Sequence, residues 1–91
     1  MSASVSVALR IDRFDGAYGF DDHVPGDLSV ERLTQIAAPR VRLPVVDISS
    51  GKEIAYSLLH EGNEVPQEST VARAFPQRRA KVTIVTAFRN A

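Results

Sequence analysis

Apolar side chains alternate with polar or small ones at the start of the chain, and this spacing constrains the fold more than any other feature. In residues 4–14 the apolar positions recur at every second residue: Val5, Val7, Leu9 and Ile11. A period of two predicts a β-strand with one buried face. Asp15-Gly16 follows directly, and Asp-Gly is typical of the tight turn between antiparallel strands. The chain is therefore predicted to begin with a β-hairpin whose second strand covers residues 17–24.

One amphipathic helix is predicted after the hairpin. Ser29 is a suitable N-cap for a helix over residues 30–38, because its hydroxyl accepts a hydrogen bond from a free backbone N–H of the first turn. The side chains expected on the buried face are Val30, Leu33, Ile36 and Ala37. Pro39 is predicted to end the helix, since proline lacks an N–H and disfavours helix in the residue before it.

Further short strands are predicted in the second half of the chain. The apolar residues Val45, Val46 and Ile48 are followed by a turn at residues 49–51. Residues 54–60 are predicted to form a strand that Gly62-Asn63 breaks.

The last elements decide the fold class. Thr70 is predicted to cap a short helical turn, and the final strand covers residues 81–88. This strand is apolar on both faces, which favours the middle of a sheet. The element order predicts an α+β fold, with one main helix packed across a mixed sheet, in a single domain over residues 1–91.

Composition excludes several kinds of site. The 91 residues include no cysteine, so a disulfide, a thiolate zinc site and a cysteine nucleophile are excluded. Eleven Lys and Arg residues balance eleven Asp and Glu residues, which provides no general attraction to nucleic acid. No apolar run approaches the ~20 residues of a membrane span, and residues 1–4 lack the pattern of a secretory leader. We expect a cytoplasmic protein without a membrane span.

Residues that commonly perform catalysis or bind metals are sparse. His23 and His60 are the two histidines, and Asp21-Asp22-His23 is the one metal-like cluster. Adjacent side chains in a strand alternate faces and converge poorly on one ion, so a solvated loop end is the preferred interpretation. His60 is expected to have a structural role at a strand end. No catalytic residue, metal site or cofactor is predicted, and the chain is expected not to be an enzyme.

A basic rim is the remaining charged feature. It would comprise Arg78, Arg79 and Lys81, extended by Arg40 and Arg42. Charge runs in loops are usually solvated, and the net charge is zero, so no nucleic-acid partner is expected.

Three segments of the second half resemble ubiquitin. They are residues 58–65 (LLHEGNEV), 69–71 (STV) and 82–85 (VTIV). In this pattern an apolar strand leads into a glycine turn, a Thr-apolar pair follows, and a closing strand ends the domain. Residues 58–91 align without gaps, and they look still more like the small bacterial ubiquitin-like proteins found as partners in type VII secretion and in bacterial ubiquitin-like conjugation operons. The resemblance implies a ubiquitin-like β-grasp fold with a mixed sheet of four to five strands and one main helix. Residues 45–52 would then be an insertion.

The resemblance also implies two interaction surfaces. One is an apolar recognition patch on the sheet, matched here to Leu59, Thr83 and Val85. The other is the C-terminal tail, which consists of Phe88, Arg89, Asn90 and Ala91. Conjugated family members end in Gly-Gly at the positions of Asn90 and Ala91, so this departure lowers the expectation of direct conjugation.

The implied function is that of a bacterial ubiquitin-like protein which binds protein partners without catalysis, as a docking subunit of a larger enzyme or secretion assembly. A small β-grasp subunit of an oxygenase is a variant of this role. The alternative is a protein modifier attached through its C-terminus by an adenylating, E1-like enzyme and an E2-like partner.

Overall fold

The computed structural model describes residues 5–87 and shows a mixed five-stranded sheet with one long and one short helix. The strands are β1 (Ser6–Arg13), β2 (Gly19–Pro25), β3 (Tyr56–His60), β4 (Asn63–Glu64) and β5 (Arg79–Thr86). The helices are α1 (Val30–Arg40) and α2 (Val71–Ala74). Neither of these helices is long and apolar enough to cross a membrane. The predicted α+β class is confirmed.

Strand β5 lies at the centre of the sheet. The order across the sheet is β2-β1-β5-β3-β4, so β5 has a hydrogen-bonded neighbour on each side. It runs parallel to β1 and antiparallel to β3, while β1 and β2 form the predicted antiparallel hairpin. The prediction that the last strand lies in the middle of the sheet is therefore confirmed.

One face of the sheet packs with α1 to form the core. Alternate residues of the three central strands point to this face and are buried, together with one stripe of the helix. They include Val7, Leu9 and Ile11 in β1, Leu58 in β3, Val82 and Ile84 in β5, and Val30, Leu33 and Ala37 in α1. The intervening strand residues lie on the opposite face, which we call the outer sheet face.

Both helices begin at the predicted caps. The Ser29 hydroxyl accepts a hydrogen bond from the Arg32 N–H at 3.1 Å. The Thr70 hydroxyl accepts one from the Arg73 N–H at 3.3 Å. Each side chain thus satisfies one of the free donors of a first helical turn.

The buried stripe of α1 differs from the prediction at one position. Ile36, which was expected in the core, is 43% exposed. At about 100° per residue, Ile36 lies ~120° from Val30 around the helix, whereas Thr34 lies only ~40° away. Thr34 is buried instead, because its hydroxyl donates to the Glu31 carbonyl at 2.7 Å and so is satisfied.

The end of α1 also differs, because Pro39 lies inside the last turn and the helix continues to Arg40. A proline there removes only the one intrahelical bond that its own N–H would donate. The Val41 N–H caps the end by donating to the Ala37 and Ala38 carbonyls, both at 3.2 Å. The prediction that the helix stops before Pro39 is therefore wrong.

Between α1 and β3 the chain forms a small exposed hairpin over residues 45–54, called the 45–54 hairpin below. A β-bridge pairs Val46 with Glu53, and the Ile54 N–H donates to the Val45 carbonyl at 3.0 Å. This hairpin lies outside the five-stranded sheet. The strand predicted to start at residue 54 therefore begins later, at Tyr56.

Candidate protein-binding surface

The outer sheet face brings the three predicted patch residues together. Leu59 in β3 lies directly opposite Thr83 in β5, and Val85 is two residues further along β5. All three are partly exposed on the face away from α1, because the alternate residues of the same strands occupy the core. The patch is therefore carried by two strands that are hydrogen-bonded to each other at the middle of the sheet.

A hydrogen-bonded polar group closes one end of the patch. Ser57 lies opposite Val85 and is only 3% exposed. Its hydroxyl donates to Glu64 Oε1 at 3.2 Å and accepts from Gln67 Nε2 at 3.4 Å. Sequence reasoning missed Ser57 and Gln67, although the period of two places Ser57 on the same face as Leu59. The patch thus has an edge whose polar atoms are satisfied.

Charged side chains border the patch on the β1 side. Asp12 lies opposite Thr83 in the parallel β1–β5 pair, and Arg10 lies opposite Lys81. Arg10 binds Asp12 at 3.0 Å and Asp21 at 3.3 Å. The hydrogen bond to Asp12 raises the pKa of Arg10 above its ordinary value, so this side chain stays charged. An apolar centre with a polar and charged margin is the usual composition of a protein-binding surface.

The predicted basic rim is only partly assembled. Arg79 and Lys81 alternate with core residues of β5 and extend the outer sheet face beyond Thr83. Arg40 does not join them, since its guanidinium binds Asp22 at 2.8 Å. Arg42 also lies elsewhere, with its guanidinium carbon 4.8 Å from the centre of a tyrosine ring. Only a pair of cations on β5 therefore continues the charged border of the patch.

The candidate metal cluster does not converge on one point. Asp21-Asp22-His23 lies within β2, so the expectation of a loop end is wrong, although Asp21 and His23 are exposed to solvent. Each acidic side chain has a cation beside it, since Asp21 binds Arg10 and Asp22 binds Arg40. His60 contacts Phe75 edge to face, with ring centroids 5.3 Å apart, as expected for a structural role. Within residues 5–87 no group of three His, Asp or Glu residues is arranged to hold a metal ion.

The predicted C-terminal tail, residues 88–91, lies outside the described residues. Its role in conjugation stays a prediction, as does the binding role of Leu59, Thr83 and Val85.

Comparison with known proteins shows which fold this is. No protein-family model matches the sequence, and no curated protein matches it. Solved structures do match, among them a ubiquitin from Caldiarchaeum subterraneum, with a TM-score of 0.66 and 12% identity, over 94% of this chain and 99% of that one. A chain from a structure described as molecular mimicry of SUMO promoting DNA repair has a TM-score of 0.68 and 14% identity, over 93% of this chain and 95% of that one. A protein designed on the basis of ubiquitin has a TM-score of 0.66 and 13% identity, over 97% of this chain and 96% of that one. Identities this low show likeness of fold alone, and they confirm that the chain has a ubiquitin-like β-grasp fold.

Proposed function

We propose that this protein is a non-catalytic ubiquitin-like protein that binds protein partners through Leu59, Thr83 and Val85. In its full form, the proposal is a bacterial docking subunit of a larger enzyme or secretion assembly. The observation that supports it best is that these three residues meet on paired central strands, inside a hydrogen-bonded and charged margin. A surface built on such strands is already ordered, which lowers the entropic cost of binding.

Charges around the patch would orient the partner. Glu64 lies beside Leu59 in the β3–β4 pair, and Asp12 lies beside Thr83 on the other side. Lys81 continues the surface along β5. Asp12 is already paired with Arg10, so a partner with an apolar centre, a cation towards Glu64 and a carboxylate towards Lys81 would match this arrangement.

Leu59→Lys tests the patch with little effect on stability. Because Leu59 is partly exposed and lies opposite Glu64, a lysine there keeps an aliphatic stem on the patch and places its ammonium near a carboxylate. An aspartate would instead face Glu64 and destabilise the strand pair. We expect at least about a tenfold loss of partner binding, with the free energy of unfolding changed by less than ~1 kcal/mol.

Ile36→Lys is the matched control, because it puts the same side chain in place of an exposed aliphatic residue on α1. Tagged copies of both variants and of the wild type would be crosslinked in the native host, and their partners compared by quantitative mass spectrometry. Partners lost with Leu59→Lys and kept with Ile36→Lys support the patch. Equal recovery from both variants would contradict it.

Conjugation through the C-terminus is the second candidate, since ubiquitin itself has this fold. In that role an adenylating enzyme would activate Ala91 and transfer the chain to target proteins. A denaturing blot of the N-terminally tagged protein separates the two functions. Higher-mass bands that disappear when Ala91 is replaced identify a modifier, whereas a single band at the unmodified mass supports the docking subunit.

A further inference from the structure

The 45–54 hairpin is held in one shape by its own hydrogen bonds. The Asp47 N–H donates to the Lys52 carbonyl at 2.8 Å, and the Gly51 N–H donates to the Asp47 carbonyl at 2.7 Å. Asp47 Oδ1 accepts from the Ser49 hydroxyl at 2.7 Å and from the Ser49 N–H at 2.9 Å. These bonds, the one from the hydroxyl above all, lower the pKa of Asp47 below its ordinary value. The tip is therefore ordered and its carboxylate is ionised at neutral pH.

This ordered hairpin presents aliphatic side chains to solvent. Val45 is 49% exposed, Val46 is 43% exposed and Ile48 is 98% exposed. A single exposed apolar residue is common on protein surfaces, but here three occur within four consecutive residues. A partner that covered them would gain from removing apolar surface from water.

A groove of about 740 Å³ lies between the hairpin and α1. Its apolar lining includes Val45, Val46 and Ile54 from the hairpin and Ala38 from the helix. The lining also includes Gln67, whose side chain borders the patch at Ser57, so the groove and the patch share one edge. None of the three patch residues, Leu59, Thr83 and Val85, lines the groove.

The charged side chains that line the groove are mainly acidic. Glu31 on α1 and Asp47 and Glu53 on the hairpin carry three negative charges against the one positive charge of Lys52, which leaves a net charge of −2. No salt bridge joins any of these three carboxylates to a cation within residues 5–87. The groove therefore combines an apolar wall with two carboxylates, Glu31 and Glu53, that make no salt bridge within the described residues.

We propose that this groove is a second docking site and that it binds a basic segment of a partner protein. An aliphatic side chain of the segment would pack on Val45 and Val46, and its Lys or Arg side chains would lie opposite Glu31 and Glu53. Ile48 would add an apolar contact at the hairpin tip. Because none of the three patch residues lines the groove, the two sites would hold two partners through different side chains.

A selection from a library of random displayed peptides against the purified protein tests the chemistry of this site. We expect the enriched peptides to combine Lys or Arg with aliphatic residues. A synthesised representative should bind at least about tenfold more weakly to the Val46→Ser/Ile48→Ser protein than to the wild type. The Glu31→Lys/Glu53→Lys protein should also bind it at least about tenfold more weakly, and increasing salt should weaken wild-type binding. The Leu59→Lys protein should bind it like the wild type.

Several results would overturn the proposal. The selection could enrich acidic peptides or enrich no peptide, and either result would contradict the proposal. Unchanged binding of the peptide to both the Val46→Ser/Ile48→Ser protein and the Glu31→Lys/Glu53→Lys protein would also contradict it. A peptide that no longer binds the Leu59→Lys protein, but still binds the Val46→Ser/Ile48→Ser and Glu31→Lys/Glu53→Lys proteins, would place the binding site on the outer sheet face instead. Wild-type self-association in sedimentation, abolished by Val46→Ser/Ile48→Ser, would make a second copy of this chain the occupant. All four substituted hairpin and helix positions are exposed, so thermal unfolding should show folded variants.

Discussion

Replacing Ile84 with alanine removes three carbon atoms from a side chain that is 0% exposed in the central strand of the sheet. At about 0.8 kcal/mol for each buried carbon, the lost transfer free energy is about 2.4 kcal/mol. The cavity left behind raises the expected loss of unfolding free energy to about 2–5 kcal/mol. In a domain of this size, a loss of about 3 kcal/mol corresponds to a fall in Tm of roughly 12–24 °C.

Ile48→Ala is the matched control, because it removes the same atoms from a side chain that is 98% exposed. We expect it to change the free energy of unfolding by less than about 0.5 kcal/mol. Urea denaturation of both variants, analysed with a common m-value, measures the difference. A loss below about 0.5 kcal/mol for Ile84→Ala would refute the register of β5. A loss of about 2–5 kcal/mol for both variants would show instead that Ile48 is packed against other residues.

Three further predictions concern a buried phenol, the hairpin tip and one close backbone contact. Burial raises the pKa of Tyr56 above its ordinary value of 10.0, so the folded state favours the protonated phenol. The free energy of unfolding should therefore fall as pH rises above about 10, and Tyr56→Phe should reduce that slope in urea titrations; an unchanged slope would contradict the assignment. Ser49→Ala removes the strongest hydrogen bond to Asp47, so an NMR titration should show the lowered pKa of Asp47 returning towards 3.8. In the wild type the hydrogen bond from Ser49 to the Asp47 carboxylate stabilises the hairpin above pH 3.8, and this stabilisation is lost as the pH falls through the pKa of Asp47 in the folded state. Identical titration curves for the wild type and Ser49→Ala would contradict this role of the Ser49 hydroxyl. Gly26→Ala should cost about 1–3 kcal/mol in thermal unfolding, because a Cβ would lie 2.7 Å from the Val5 carbonyl oxygen. An unchanged free energy of unfolding would mean that the backbone near Gly26 and Val5 moves to make room for the added Cβ at no cost.

The strands of this fold were predictable because they depend on side-chain spacing within single segments. Alternation in residues 4–14 identified β1 and its buried face, and the apolar character of both faces of β5 identified its central position. The helix start was predictable for the same reason, since the Ser29 cap is a local hydrogen bond.

The errors arose where a partner distant in the sequence decides the outcome. Asp21 and Asp22 lie in β2, where arginines from β1 and α1 bind them, and no local pattern predicts these pairs. The error at Ile36 was of another kind, since it was local: Thr34 lies closer to the buried side of α1, and its hydroxyl bonds to the Glu31 carbonyl three residues earlier. The groove beside the 45–54 hairpin needs α1 and the hairpin together, so neither segment reveals it alone.

The residues of the two proposed sites differ in how far strand propensity explains their presence, and this difference decides which of them are most useful to substitute. Thr83 and Val85 are β-branched and lie in a central strand, where such residues are favoured whether or not a partner covers them. Leu59 is not β-branched, yet it occupies the outward position opposite Thr83. Ile48 is β-branched but lies outside every strand of the sheet, at the tip of a hairpin where it packs against nothing. Local strand propensity does not account for Leu59 and Ile48, so substitutions at these two positions test the two proposed binding sites most directly. Because Leu59 lies in β3 and Ile48 lies on the hairpin outside the sheet, substitutions at one should leave binding at the other unchanged, and their effects on two partners should be independent.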